Sequence, residues 1–96
     1  MGREEIIQII RNHQPHLELF GVRSLALFGS VARGDFSDES DIDILVDFSR
    51  PIGLFEFVRL KVFLEEVTHR PVDLVTLDAL KPALKERILS EIVYVR

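Results

Sequence analysis

Two aspartates stand two residues apart in Ser40-Asp41-Ile42-Asp43-Ile44-Leu45-Val46. On an extended strand, that spacing turns both carboxylates to one face with their Cα atoms about 6.5–7 Å apart. Ile42 and Ile44 then face the other way, into apolar packing. Two such acids suit a hard cation bound through oxygen, and magnesium leaves positions open for substrate phosphates. Like charges held side by side cost folding energy, and a bound cation would offset that cost. The same pair is also what a turn or a strand end facing water looks like, so the two acids do not decide the matter alone. Asp35, Asp38 and Glu39 read as solvated loop acids. The stretch is not a calcium EF-hand loop, since it has no glycine at the sharp turn and no bracketing helix.

Upstream, Gly29-Ser30 follows the apolar run Leu25-Ala26-Leu27-Phe28 directly. A glycine there lets backbone approach a phosphate, and the next amides and the Ser30 hydroxyl can donate to it. An ordinary strand-to-helix turn with a serine cap would look the same, and the Gly-Lys-Ser/Thr ending of a Walker A loop is missing. Downstream, Asp73 interrupts the apolar Pro71-Val72-Asp73-Leu74-Val75. It has two readings: an ion pair with Arg70 or Lys61, or a position facing Asp43 across neighbouring strands. In the second case three carboxylates make a cradle for two metals. Arg33 is either a surface arginine or a further phosphate contact. The histidines do not join the group by spacing: His13 and His16 flank Pro15 in an expected loop, and His69 closes a helix, where a positive ring suits the dipole. Tyr94 is expected to pack near the C-terminus.

The elements that must hold these residues follow from periodicity. Arg3 to His13 carries Ile6, Ile7 and Ile10 at helical spacing, with Glu4 and Glu5 in the first turn and Pro15 ending or kinking it. Leu17 to Phe20 adds a turn that Gly21 stops. Val22 to Phe28 is a strand with two apolar faces, expected to be central and covered. Residues 31–33 allow no more than a helical turn, 34–40 form a polar loop, and Asp41 to Phe48 is the second strand. Leu54 to Thr68 is the long helix. Its apolar positions fall into two groups, Leu54, Phe55, Val58 and Val62 against Phe57, Leu60, Phe63, Leu64 and Val67, so two buried faces are expected, the second against a helix of this chain or against another chain. Val72 to Thr76 is a third strand. Asp78 can cap the next helix and Pro82 suits its first turn. Leu80, Leu84 and Ile88 are its expected inner side, and Ile92 to Val95 is a final short strand. The fold class is α+β with α/β-type packing: a small mixed sheet covered by helices.

Bulk properties bound the function. The 96 residues are expected to form one domain, 1–96, and 47% of them are apolar, which excludes a disordered polar chain. The longest apolar runs have four residues, so neither a membrane span nor a signal-peptide core is present. The absence of cysteine removes disulfides, cysteine zinc sites and thiol nucleophiles, and is compatible with the cytoplasm. Lys and Arg number 12 against 16 Asp and Glu, for a net charge of −4, so stable nucleic-acid binding is not expected.

In combination, Gly29-Ser30, Ala32-Arg33-Gly34, Ser40-Asp41-Ile42-Asp43 and Asp73 resemble the minimal nucleotidyltransferase (MNT) family of the DNA polymerase β-like superfamily, over nearly the whole chain. The resemblance implies the nucleotidyltransferase fold and transfer of AMP from ATP to a hydroxyl. It implies that Asp41 and Asp43 hold two Mg2+ ions, which Mn2+ can replace, and that Asp73 holds one and helps deprotonate the acceptor. It implies that the Gly29-Ser30 turn grips the β and γ phosphates. Family members of this size pair with a HEPN-domain toxin and adenylylate its tyrosine, as antitoxins of type VII toxin-antitoxin systems. Two other functions stay open: an idle antitoxin that neutralises its toxin by binding alone, and a nucleotide sensor.

Overall fold

The computed structural model describes residues 2–35, 37 and 39–96. Four strands form one mixed sheet. β1 is Val22–Phe28, β2 Ile42–Phe48, β3 Val72–Thr76 and β4 Val93–Tyr94, in the order β3-β2-β1-β4. β1 runs antiparallel to both β2 and β4, whereas β2 and β3 are parallel and joined through a helix, as a parallel pair requires. The helices are α1 (Arg3–Arg11), α2 (Gln14–Leu19), α3 (Gly29–Arg33), α4 (Leu54–Thr68) and α5 (Pro82–Glu91).

Strand alternation divides the sheet cleanly. Leu25 and Leu27 of β1 pair with Val46 and Ile44 of β2, and Ile42 and Ile44 pair with Val72 and Leu74 of β3. These side chains share one face and enter the core with Ile6 and Ile10 of α1, Leu17 of α2 and Leu60 and Leu64 of α4. Full burial of each such side chain stabilises the fold by about 1.5–3 kcal/mol. The opposite face carries Ser24, Ala26 and Phe28, then Asp43, Leu45 and Asp47, then Asp73 and Val75. There Ala26 and Leu45 are also buried, so β1 is covered on both sides as its apolar pattern predicts. Leu89 of α5 lies over this second face and lines a cavity of about 150 Å³ with Ala26, Leu45 and Tyr94.

Several local expectations are corrected. Pro15 does not end the first helix. That helix stops at Arg11, and Pro15 sits in the first turn of α2, where its missing N–H costs nothing. His13 and His16 are not in a plain loop: both rings pack on Phe63 of α4, at centroid distances of 5.5 and 5.2 Å. Asp78 caps no helix and lies in a 3-10 turn, Leu77–Ala79. α5 buries none of its residues, and Leu84, expected inside, is 48% exposed. Tyr94 is more exposed than packed.

The long helix has the bounds its periodicity predicts, but it buries only one of its two apolar groups. Leu60 and Leu64 are fully buried, whereas Leu54 and Phe55 are 74% and 81% exposed. Val58 and Val62 continue that outer stripe. No helix among the described residues covers it.

Candidate functional site

Asp43 and Asp73 meet because β2 and β3 are parallel neighbours in a register that sets them opposite each other. Phe28 of β1 pairs with Asp43 on the other side, so the chain turns into α3 beside the same carboxylate. Gly29, the first residue of α3, has φ +68°, and a Cβ there would lie 2.2 Å from Asp43 Oδ2. Its bare Cα is therefore what Asp43 rests against. Glycine is required twice, by the left-handed backbone and by the close approach. Sequence reasoning assigned this glycine to phosphate approach alone; its contact with Asp43, 14 positions away, appears only in the folded chain.

α3 presents its first amides at this spot, and the opening N–H groups of any helix have no acceptor within it. A Schellman closure ends the helix: Gly34 N–H donates to Val31 O and Asp35 N–H to Ser30 O, with Gly34 at φ +82°. From α1, Arg3 Nη1 donates to Ala32 O at 2.7 Å and holds the turn from behind.

Asp41 falls just outside the second strand, which begins at Ile42, so the expected strand start is one residue early. Its exposed position at the loop end still brings its charge to bear on Asp43. The Asp43 carboxyl is held above the ordinary carboxylate value, first by burial, then by repulsion from Asp73 and from Asp41, with Arg33 opposing. The three acids thus form one electrostatic cluster. No ion pair among the described residues reaches any of them. The two basic residues that could have neutralised Asp73 are engaged elsewhere: Lys61 pairs with Glu65 at 3.6 Å, and Arg70 donates to loop carbonyls.

Arg33 stands at the end of α3 near the cluster. Asp35 at 3.3 Å, then Glu91 of α5 at 3.4 Å, hold its guanidinium more firmly charged than usual.

Hard carboxylate oxygens suit Mg2+ or Mn2+, and the notch at Gly29 leaves Asp43 free of side-chain crowding on that side. Among the described residues no three His, Cys, Asp or Glu side chains are gathered as a ready ligand set. A separate cavity of about 780 Å³ lies toward the far end of β2 and β3, lined by Phe48, Arg50, Leu54, Phe57 and Leu77, with none of the three acids in its walls. Asp41 and Asp73 are exposed instead, and Asp43 is half-buried between them.

The chain as a whole resembles known proteins. The nucleotidyltransferase domain family model matches residues 4–95, and the chain belongs to that family. It is 43% identical, over 96% of its length and 94% of the relative's, to the protein adenylyltransferase MntA of Thermococcus cleftensis. A solved structure of a candidate minimal nucleotidyltransferase superposes with a TM-score of 0.83 at 34% identity, covering 97% of this chain and 95% of that one. A toxin-antitoxin structure with AMP-PNP shares the fold at a TM-score of 0.71 and 24% identity, over 100% of this chain and 73% of that one. No helix among the described residues is long and apolar enough to cross a membrane.

Proposed function

We propose that the protein transfers AMP from ATP to a tyrosine hydroxyl of a HEPN-domain toxin and so acts as a cytoplasmic protein adenylyltransferase antitoxin. The observation that carries this reading is the meeting of Asp43 with Asp73 in register, against the bare Cα of Gly29 at the start of α3. In this reading the amides that would take phosphate and the acids that would take the cations share one end of one sheet face. Further support is the Thermococcus relative, which bears the name of a protein adenylyltransferase.

In this reading Asp41 and Asp43 would hold two divalent cations, Mg2+ or Mn2+, with Asp73 sharing one. Bound there, the ions supply charge stabilisation at the α-phosphate and lower the acceptor pKa. The Gly29-Ser30 amides and the Ser30 hydroxyl would hold the β and γ phosphates, and Arg33 would add a contact by exchanging Glu91 or Asp35 for phosphate. Asp73 takes the acceptor proton. The acceptor oxygen attacks the α-phosphorus, the bond to the β-phosphate oxygen breaks, and pyrophosphate leaves. A tyrosine hydroxyl, with an unperturbed pKa of about 10, needs such help to become nucleophilic.

The open site suits an acceptor that arrives on another macromolecule. The outer stripe of α4 remains a candidate contact for it, yet α4 covers the sheet face opposite Asp43. A toxin seated on that stripe alone would not reach the acids and must also engage the carboxylate face. Coexpression with the product of the adjacent gene, followed by intact mass of both chains, tests the reading. AMP-sized additions on the partner that vanish with Asp41→Asn and Asp43→Asn are expected. A neutralised but unmodified partner would replace the proposal with inhibition by binding alone.

A further inference from the structure

Arg70 is the one charged residue buried among the described residues, at 7% exposure. Removing a guanidinium from water is costly, so its place in the fold requires strong compensating interactions. It sits between α4 and β3, three residues before Asp73. Its Nη2 donates to Ser37 O at 2.7 Å and to Ser40 O at 2.5 Å, the two carbonyls that bracket the last turn before Asp41. Ser37 and Ser40 close that turn themselves through Ser37 N–H to Ser40 Oγ at 3.0 Å. Beside it, Ile42 N–H donates to Pro71 O at 2.9 Å. The entry to β3 is in turn tied to α4 by Val72 N–H donating to Glu65 Oε2 at 3.0 Å. The segment that carries Asp41 and the segment that carries Asp73 are therefore bolted together across about thirty residues of sequence, with Arg70 Nη2 as the side-chain link to the Ser37–Ser40 turn.

That bolt has a specific task. Asp41 lies outside the strand ladder, so β-pairing does not fix it as it fixes Asp43 and Asp73. Asp43 is repelled by both Asp41 and Asp73, so the neighbouring acids do nothing to hold Asp41 in place. Both carbonyls are held by a single nitrogen, Nη2, whose two N–H bonds reach two acceptors, and the planar guanidinium loses less rotamer freedom per hydrogen bond than an ammonium. We propose that Arg70 is a positioning residue that fixes Asp41 against Asp43 and Asp73 for binding of a divalent cation with its nucleotide. The inference rests on the nucleotidyl-transfer reading above, and its experiment separates the two.

Mn2+ binding in the presence of ATP, titrated by electron paramagnetic resonance on the whole chain, is the readout. The variants are Arg70→Met, Arg70→Lys and Leu17→Ala. Leu17 is a fully buried core residue of α2, near the opposite end of β1 from Gly29, and serves as a control for lost stability. Loss of an outer partner that orients a ligand weakens metal binding about 10–100-fold. Arg70→Met is expected to weaken Mn2+ binding by at least about 10-fold, Arg70→Lys by less, and Leu17→Ala hardly at all while it is folded. Mn2+ affinity in Arg70→Met equal to that of the wild type, or no weaker than in Leu17→Ala, overturns the inference and leaves the nucleotidyl-transfer reading standing. If Arg70→Met does not fold, folded Arg70→Lys decides: wild-type affinity there overturns the inference. A wild-type chain that binds no Mn2+ with ATP overturns both.

Discussion

Asp43 is held above its ordinary pKa by burial and by its two acidic neighbours, and this has a calculable effect on stability. A folded-state carboxyl with a raised pKa binds more protons than the unfolded chain between the two values, so stability falls as pH rises through that window and is flat above it. Asp43→Asn cannot ionise and escapes the loss. The variant is expected to match the wild type in melting temperature well below the ordinary carboxylate value of 3.8 and to exceed it at neutral pH, which thermal scans across pH will show. The same substitution should abolish AMP transfer in a labelled-ATP assay while circular dichroism stays native. Retained transfer would remove Asp43 from the metal-binding role. Gly29→Ala makes the converse test. It forces an L-residue to φ +68°, at a cost of roughly 1–2 kcal/mol, and drives a methyl into Asp43. Urea denaturation should show the loss in stability, and Asp43→Ala on that background should recover part of it by clearing the contact.

α4 and α5 behave differently for reasons visible in their burial. α4 anchors the core through Leu60 and Leu64, whereas Leu54 and Phe55 face solvent. Leu60→Ala is expected to cost about 2–5 kcal/mol. The double change Leu54→Ser/Phe55→Ser should stay within about 0.5 kcal/mol of wild type per site, since exposed positions away from buried contacts rarely do more. Urea denaturation of the two variants measures the contrast, and an equal loss would mean that the outer stripe is covered within the chain. α5 buries nothing and leans on the carboxylate face through Leu89 and the Arg33–Glu91 pair. Its amides should exchange with solvent deuterium earlier than those of α4.

For the molecule as a whole, ligand linkage offers the most direct check. A ligand that binds only the folded state at a hundredfold excess over Kd adds about 2.7 kcal/mol, or roughly 10–20 °C in a domain of this size. Mg2+ or Mn2+ together with ATP should raise the melting temperature, each alone should do less, and an Asp41→Asn/Asp43→Asn double variant should lose the combined effect. Equal shifts in that variant would place the ligand elsewhere, with the cavity beside Phe48 and Arg50 the first place to look.

Local chemistry was enough to specify much of this protein. The bounds of β1, α4 and β3 and the alternation around Ile42 and Ile44 depend on periods of two and 3.6 residues, which any stretch of chain displays by itself. The acids and the Gly29-Ser30 turn could be singled out as candidates for the same reason, by residue type and spacing, with their roles supplied by the family resemblance. What the tertiary structure decided are the relations between distant segments. The parallel register sets Asp73 beside Asp43, the bare Cα of Gly29 receives the Asp43 carboxylate, and Arg70 Nη2 reaches the Ser37–Ser40 turn. Each joins residues at least 14 positions apart. A one-residue slip between β2 and β3 would take Asp73 off the face that Asp43 occupies without changing a local pattern. The outer stripe of α4 shows the same limit from the other side: its apolar spacing predicts burial, but only packing could show that none of the described residues covers it.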